Sequence, residues 1–277
     1  MEITVKYIAD HDYHIHSCLS PCSGDEKQTA ERILSDAETC GLTSVCLTDH
    51  FWDSAVAAKV GKPDFYDILD YEYVSKWLPL PQKDNVKFYF GCECELLCDM
   101  TLGISAEVAK KMDFIVIPPN HFHMQPYTLA ECDRPIGKRA RAYLNRLRGI
   151  LDMELPFNKI GIAHFTDSLT AAEGDHDHID VISMMPTDEL TDIFGRMAHL
   201  GIGIELNFNP DGYSGADLEE ILRPYKIASE CGCKFYLGSD AHTVAESGTR
   251  LGKFKRMVEL LSLEEDQKYH IPERISN

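Results

Sequence analysis

The run DYHIHSCLSPC, from Asp12 to Cys22, sets His14 and His16 one residue apart in a stretch with the composition of a strand. Side chains of an extended chain alternate in direction, so Asp12, His14 and His16 are expected to project into one space. Two imidazoles aimed together either share something that binds imidazole or stand as polar residues on a solvent-facing edge. The other titratable residues bear on that choice. Asp49 and His50 close SVCLTDH, and Glu93 and Glu95 close KFYFGCECEL. Asn120, His121 and His123 follow DFIVIPP, and His164 stands in KIGIAHF. Glu205 and Asn207 lie in GIGIELNFN, and Asp240 and His242 end KFYLGSDAH. Any one histidine in such a place is ordinarily a hydrogen-bonded core or surface residue. Placement at the end of nearly every apolar run points instead to a metal centre, because imidazole and carboxylate are the donors of transition-metal sites.

Positioning these residues falls to the apolar runs themselves. Seven of them, at 12–17, 44–50, 87–96, 113–119, 159–165, 201–209 and 234–242, read as short strands. Helix-like segments alternate with them, beginning with TAERILSDAETCG, where Thr29 is in capping position and Gly41 is a stop. ISAEVAKKM, RARAYLNRLRGILDM and DELTDIFGRMAHLG follow, then ADLEEILRPYKIASECG, with a kink or break expected at Pro224, and RLGKFKRMVELLSLEE. This alternation predicts parallel strands joined by right-handed crossovers. An open doubly wound sheet collects ligands chiefly at one switch point, whereas a barrel gathers groups from all its strand ends into one mouth. Polar groups at the C-terminal side of all seven runs favour closure. The expectation is an α/β barrel of seven strands, with residues 1–277 forming one domain, since no repeat, low-complexity tract or linker divides them.

The formal charge is −18 at pH 7. That disfavours electrostatic binding to a nucleic-acid backbone but does not exclude a phosphorylated substrate, because bound cations can dominate the local field. No apolar run reaches the roughly 20 residues of a membrane span. MEITVKYIAD lacks the basic-then-apolar pattern of a secretion signal, so a cytoplasmic setting is expected. The ten cysteines then read as reduced thiols, most of them small buried hydrophobes rather than a disulfide framework. DHDH at 175–178 falls in a polar stretch and reads as a solvated loop.

Taken in order, HIH, TDH, GCE, NHFH, IAH and GSDAH resemble the motifs of the polymerase-and-histidinol-phosphatase (PHP) superfamily of metal-dependent phosphoesterases, over residues 12–242. The resemblance, nearest to the histidinol-phosphatase-like branch, implies a distorted, TIM-like (β/α)7 barrel with two or three divalent ions in its mouth. It implies that His14 and His16 hold a first metal with Glu93 and Asp240. Glu93 would bridge to another metal held by His121 and His164, with His123 as an alternative in register. His50 and His242 would hold the remaining ion. Cys22 stands where that branch carries a further histidine, and thiolate is a competent zinc ligand. Asp12 and Asp49 would serve as partners that fix an imidazole tautomer. Glu95 reads either as a barrel-facing carboxylate or as a satisfied polar residue.

Such a centre suits phosphate ester hydrolysis: divalent ions neutralise phosphoryl oxygens, acidify a bound water and stabilise the leaving oxygen. Mixed imidazole and carboxylate donors favour Zn, Mn or Fe over Mg. The expected reaction is in-line attack by a metal-bridging hydroxide on a small-molecule phosphomonoester, histidinol phosphate among the candidates. Asp240 or His242 would manage the proton, and Arg139 or Arg250 would clamp the phosphate. Against histidinol phosphate, IAHFTDS lacks the His-Pro-Asp run associated with that branch. Two rivals are a metal-dependent C–N bond hydrolase of amidohydrolase type and a non-catalytic metal-binding barrel.

Overall fold

The computed structural model describes residues 5–172 and 177–273. The elements begin with β1 (His11–Ile15), α1 (Ala30–Thr39), β2 (Ser44–Leu47), β3 (His50–Phe51), α2 (Ser54–Val60) and α3 (Tyr71–Val74). They continue with β4 (Lys87–Cys94), α4 (Ala106–Ala109), β5 (Phe114–Ile117), α5 (Ile136–Leu151) and β6 (Ile160–Ile162). The chain ends with α6 (His178–Ser183), α7 (Thr187–Leu200), β7 (Gly203–Leu206), α8 (Gly215–Glu230), β8 (Lys234–Leu237) and α9 (Val244–Leu261).

The strands run β1-β2-β4-β5-β6-β7-β8 with every pair parallel, while the short β3 pairs β4 from off this path. The seven-stranded barrel expected from the sequence is therefore found, nearly closed. The seam between first and last strands joins the end of β1 to the segment that follows β8. Ile15 bridges Ala241 in parallel, His16 N donates to Ala241 O at 3.0 Å, and Asp240 N donates to His14 O at 2.8 Å. The strands are shorter than the apolar runs, because each run continues past the last ladder bond into the loop that carries the polar residues.

Alternation divides the apolar side chains into two cores. Ile115 and Ile117 of β5, and Phe235 and Leu237 of β8, join the large cluster that also holds the helices' buried faces. Their alternates Phe114, Val116 and Tyr236 join Tyr13 and Cys46 in a separate cluster filling the barrel, into which the C-terminal segment inserts Tyr269. Tyr269 N anchors that segment on Phe235 O at 2.8 Å. Each such aromatic, fully buried, contributes about 2–3 kcal/mol. Gly161 sits where a Cβ would stand 2.4 Å from the Phe114 ring, so the packed interior leaves room for no side chain there.

Helix α1 starts on Thr29, whose side chain accepts from Arg32 N as the sequence suggests. Helix α8 runs unbroken through Pro224, so the expected break is absent; proline removes one hydrogen bond, and Pro224 is itself buried among its neighbours. Among the ten cysteines, Cys46, Cys92, Cys94 and Cys233 are buried, three are half-buried, and Cys22, Cys98 and Cys132 are exposed. Fewer are core hydrophobes than expected, because several fall on helix ends and loops rather than in strands. No helix among the described residues is long and apolar enough to cross a membrane.

Candidate metal centre

Glu93, near the end of β4, stands at the middle of a ring of imidazoles. Its Oε2 lies 2.8 Å from His50 Nδ1, 3.4 Å from His16 Nε2 and 3.7 Å from His14 Nε2. Its Oε1 lies 3.1 Å from His164 Nε2 and 3.6 Å from His121 Nε2. Asp240 faces the same space, with Oδ1 3.0 Å from His16 Nε2 and 3.4 Å from His14 Nε2. His242 stacks on His16 with ring centroids 4.1 Å apart. Four overlapping sets of ligand atoms result: His14, His16, Glu93 and Asp240; Glu93, His121 and His164; His16, His50 and His242; and His14, His164 and Glu205.

These side chains arrive from the C-terminal ends of β1, β4, β6 and β8, from β3, and from the loop after β5. Two sit on backbone that non-glycine residues rarely adopt, with φ of 29° at His164 and 52° at Asp240. Strain of this kind persists where the surroundings over-determine a geometry, and it clusters at functional sites.

Polar partners behind the ring determine which nitrogen faces inward. His14 Nδ1 lies 2.7 Å from Glu205 Oε1, and His121 Nδ1 lies 2.7 Å from Glu95 Oε2. His164 Nδ1 meets Asn120 Oδ1 at 3.0 Å, while Asn120 Nδ2 donates to His164 O at 2.7 Å. His16 Nδ1 meets Ser20 Oγ at 2.9 Å, and that hydroxyl donates onward to Asp49 Oδ1. His242 Nδ1 donates to Asp240 O at 2.8 Å. Because each acceptor requires a proton on Nδ1, five imidazoles turn Nε2 toward the centre, where its lone pair serves a metal once any second proton has left. This is the arrangement that outer partners impose on metal-ligating histidines. His14 Nε2 and His16 Nε2 are 3.1 Å apart, a separation that two lone pairs tolerate when a cation lies between them.

The cluster also gathers buried atoms without hydrogen-bond partners: His50 Nδ1, Glu93 Oε2, Asp240 Oδ1 and His242 Nε2. His50 Nδ1 and Glu93 Oε2 are close but lack the alignment of a hydrogen bond. Orphaned buried donors and acceptors are costly and call for an explanation. A divalent ion satisfies them, so the residues present fit the metals that the sequence implies.

Charge follows the same pattern. Burial alone would suppress a proton on His14, yet the carboxylates of Glu205, Asp240 and Glu93 outweigh it and hold its pKa well above the ordinary value. His16 is raised to about 9 against the same desolvation, chiefly by Asp240 and Glu93. Glu93 and Asp240 are held low: burial opposes their charge, and the surrounding imidazoles prevail. His242 is lowered to about 4 by desolvation and by the nearby His16, so its imidazole is neutral at pH 7.

Other sequence candidates fall differently. His123 is exposed and outside these ligand sets, while His121 is inside one of them. Cys22 is exposed and also outside them; desolvation, then the charges of Glu93 and Asp240, push its thiol up to about 12, which keeps it protonated. Asp12 does not support an imidazole. Its Oδ2 accepts from Arg250 Nη1 at 3.1 Å and its Oδ1 from Ser239 N at 2.9 Å. The cause is a register shift in the β1–β2 pairing between Asp12 and Ile15, which breaks the alternation that would have aligned Asp12 with His14. Arg139 is buried with its fork closed on Asp177 at 2.6 and 2.9 Å, and it donates also to Arg134 O. That engagement leaves it in an ion pair rather than at the mouth. Within DHDH, Asp175 and His176 lie outside the described residues, Asp177 takes Arg139, and His178 opens α6.

Sequence reasoning passed over Glu205 as a partner of His14 and His164; its Oε2 accepts from His164 N at 2.6 Å. The available signal was its place at the end of the seventh run. Arg146 was also missed. Fully buried on α5, it donates to Pro119 O, Thr128 O and Leu96 O, tying together the loops that carry Glu95 and His121.

No family model and no curated protein matches the sequence. Solved structures do. A histidinol phosphate phosphatase from Lactococcus lactis, complexed with zinc, L-histidinol and phosphate, is similar with a TM-score of 0.57 and 14% identity, over 95% of this chain and 99% of that one. The fold is shared. A candidate histidinol phosphatase from Listeria monocytogenes is similar at the same TM-score and identity, over 87% of this chain and 98% of its own. The barrel implied by the family resemblance is thus the barrel of these neighbours.

Proposed function

We propose that the protein is a metal-dependent phosphoesterase that hydrolyses a small-molecule phosphomonoester. The observation that carries this reading is the ring of outward-supported imidazoles around Glu93, with its orphaned inward-facing atoms. His14, His16, Glu93 and Asp240 would hold one ion, and Glu93, His121 and His164 a second. His50 and His242 would hold a third beside His16. The donor set suits Zn, Mn or Fe. Bound ions would neutralise the phosphoryl oxygens and acidify the attacking water.

The chain's own groups do the rest. Water oxygen forms a bond to phosphorus as the ester P–O bond breaks, giving inorganic phosphate and an alcohol. The Asp240 carboxylate, with an oxygen to spare beyond the one facing the imidazoles, is the group placed to carry the water's proton toward the leaving oxygen; His242 Nε2, whose one lone pair the third ion would take, could do so only without that ion. Of the two arginines expected as phosphate clamps, Arg139 is closed on Asp177, and Arg250 keeps unpartnered nitrogens but lines the cavity beside the centre rather than the ring around Glu93. Histidinol phosphate is one candidate substrate, since the Lactococcus lactis neighbour is a phosphatase of that ester. The cysteine content and acidic surface support a cytoplasmic setting without nucleic-acid partners.

The test is elemental analysis of untagged protein with a phosphate ester screen, beside a His14→Ala/His16→Ala variant. Two or three equivalents of transition metal and ester turnover, both lost in the variant, are expected. Turnover of amides or lactones with inert phosphate esters would replace this reading with a C–N bond hydrolase. Less than one equivalent after reconstitution with Zn, Mn and Fe would remove the catalytic reading.

A further inference from the structure

A cavity of about 300 Å³ opens beside the metal centre, between the N-terminal half of α9 and the loops after β6, β7 and β8. Its wall includes Asn207, Asn209, Ser239, Asp240, Arg250 and Lys253. Of the eight proposed ligand residues only Asp240 lines it. The cavity therefore flanks the cluster, and a phosphoryl group held over Glu93 would leave it unfilled. A substrate that reaches across Asp240 would fill it.

Arg250 is the unusual wall residue. It is 1% exposed, and its Nη1 is engaged by Asp12. Its Nε and Nη2 are buried without a partner. Those two nitrogens form one edge of the guanidinium fork, whose parallel N–H groups match a pair of oxyanion oxygens. A buried guanidinium edge left unmade is expensive, so the geometry calls for an acceptor. Lys253, one turn along α9, is exposed and has no carboxylate partner among the described residues. Of the cavity's three acids, Asp240 faces the metal centre and the other two are turned to backbone. Glu246 Oε2 accepts from His242 N and Thr243 N at the start of α9, and Asp167 Oδ1 accepts from Leu169 N. Apart from Asp240 Oδ1, which faces the imidazoles of the metal centre, the buried unmade hydrogen-bonding capacity in this wall lies on Arg250.

We propose that this cavity is a subsite for a second anionic group, a carboxylate or phosphate, so that the substrate is a phosphomonoester carrying another negative charge on its leaving group. Arg250 takes that group bidentately through Nε and Nη2, Lys253 adds charge at the rim, and Asn207 and Asn209 supply amides. The proposal rests on the phosphoesterase reading for the other end of the substrate.

The test uses two non-hydrolysable probes that differ in one charge, propylphosphonate and 3-phosphonopropanoate, titrated calorimetrically into metal-loaded protein. The carboxylated probe should bind about tenfold tighter. Lys253→Gln, on an exposed position, should shrink that ratio severalfold, and Arg250→Lys should shrink it further. Lys255→Gln, on the same helix but off the cavity wall, should leave the ratio intact. Equal affinities, or a preference that survives both cavity variants, overturns the subsite. So does failure of the carboxylated probe to bind. A carboxylate preference in a protein that hydrolyses no phosphate ester would sink the phosphoesterase reading and leave the anion subsite standing. Ester turnover with equal probe affinities would do the reverse.

Discussion

At the scale of single residues, the metal centre is a set of protonation choices. Glu205 and Glu95 each accept from an imidazole Nδ1 and so turn its Nε2 lone pair inward. Glu205→Gln and Glu95→Gln should each weaken metal binding by about 10–100-fold while the ligands remain in place. Competition titrations with a chelating dye measure this, and unchanged affinity would mean that packing alone orients the rings. The same carboxylates hold protons on the metal-free site, with His14 raised well above its ordinary value and His16 to about 9. At pH 7 His16 is protonated in the absence of metal, and a metal can bind only the neutral form. Metal uptake at pH 7 should therefore release at least one proton, and affinity should rise with pH toward about 9, where His16 no longer needs to lose one. Calorimetry in buffers of different ionisation enthalpy reads the proton count directly; zero would show that the imidazoles are already neutral.

At the scale of elements, the site depends on close approach between neighbouring strand ends. Gly238 follows β8, and a Cβ there would stand 1.9 Å from Glu205 Oε1 and 2.8 Å from His14 Cβ. Gly238→Ala must push Glu205 off His14. Overpacking of this kind costs about 1–3 kcal/mol, which for a chain of this size is a fall in Tm of roughly 2–12 °C. Metal affinity should drop together with stability, as in Glu205→Gln. A loss of stability with full metal affinity would show that the β8 loop adjusts without disturbing His14. The register shift in β1 is the other device at this scale. It separates Asp12, held by Arg250, from His14, held by Glu205, although the two are only two residues apart.

At the scale of the whole molecule, metals held by the proposed ligands would join parts of the barrel that the strand ladder leaves loosely tied. The β1–β8 seam is closed by a few bonds around His14, His16, Asp240 and Ala241, three of which are proposed ligand residues. Ions bound across this seam stabilise the folded state alone. At a thousandfold excess over Kd, one site contributes about 4 kcal/mol, so chelation should lower Tm by roughly 8–16 °C. Readdition of Zn or Mn should restore it in thermal scans. A Tm indifferent to chelator and metal would argue that the polar mouth is self-sufficient.

The amino-acid sequence by itself determined the alternation of strands and helices, the count of strands in the barrel, and the donors at their ends. These are local matters: periodicity and residue type appear in any short window. It could not show how those donors are oriented. His14 finds its partner Glu205 191 residues away, and Arg250 meets Asp12 across 238 residues. Two-residue alternation also governs direction only inside a regular ladder, and most of the donors lie beyond its last bond or beside a shift in register. That is why Asp12 was expected beside the imidazoles and stands instead against α9. It is also why Arg139, plausible at the mouth by position in the chain, is closed on Asp177. Tertiary structure decided which nitrogen of each ring faces inward and which arginine keeps a free edge, because both depend on contacts made only once the chain has closed on itself.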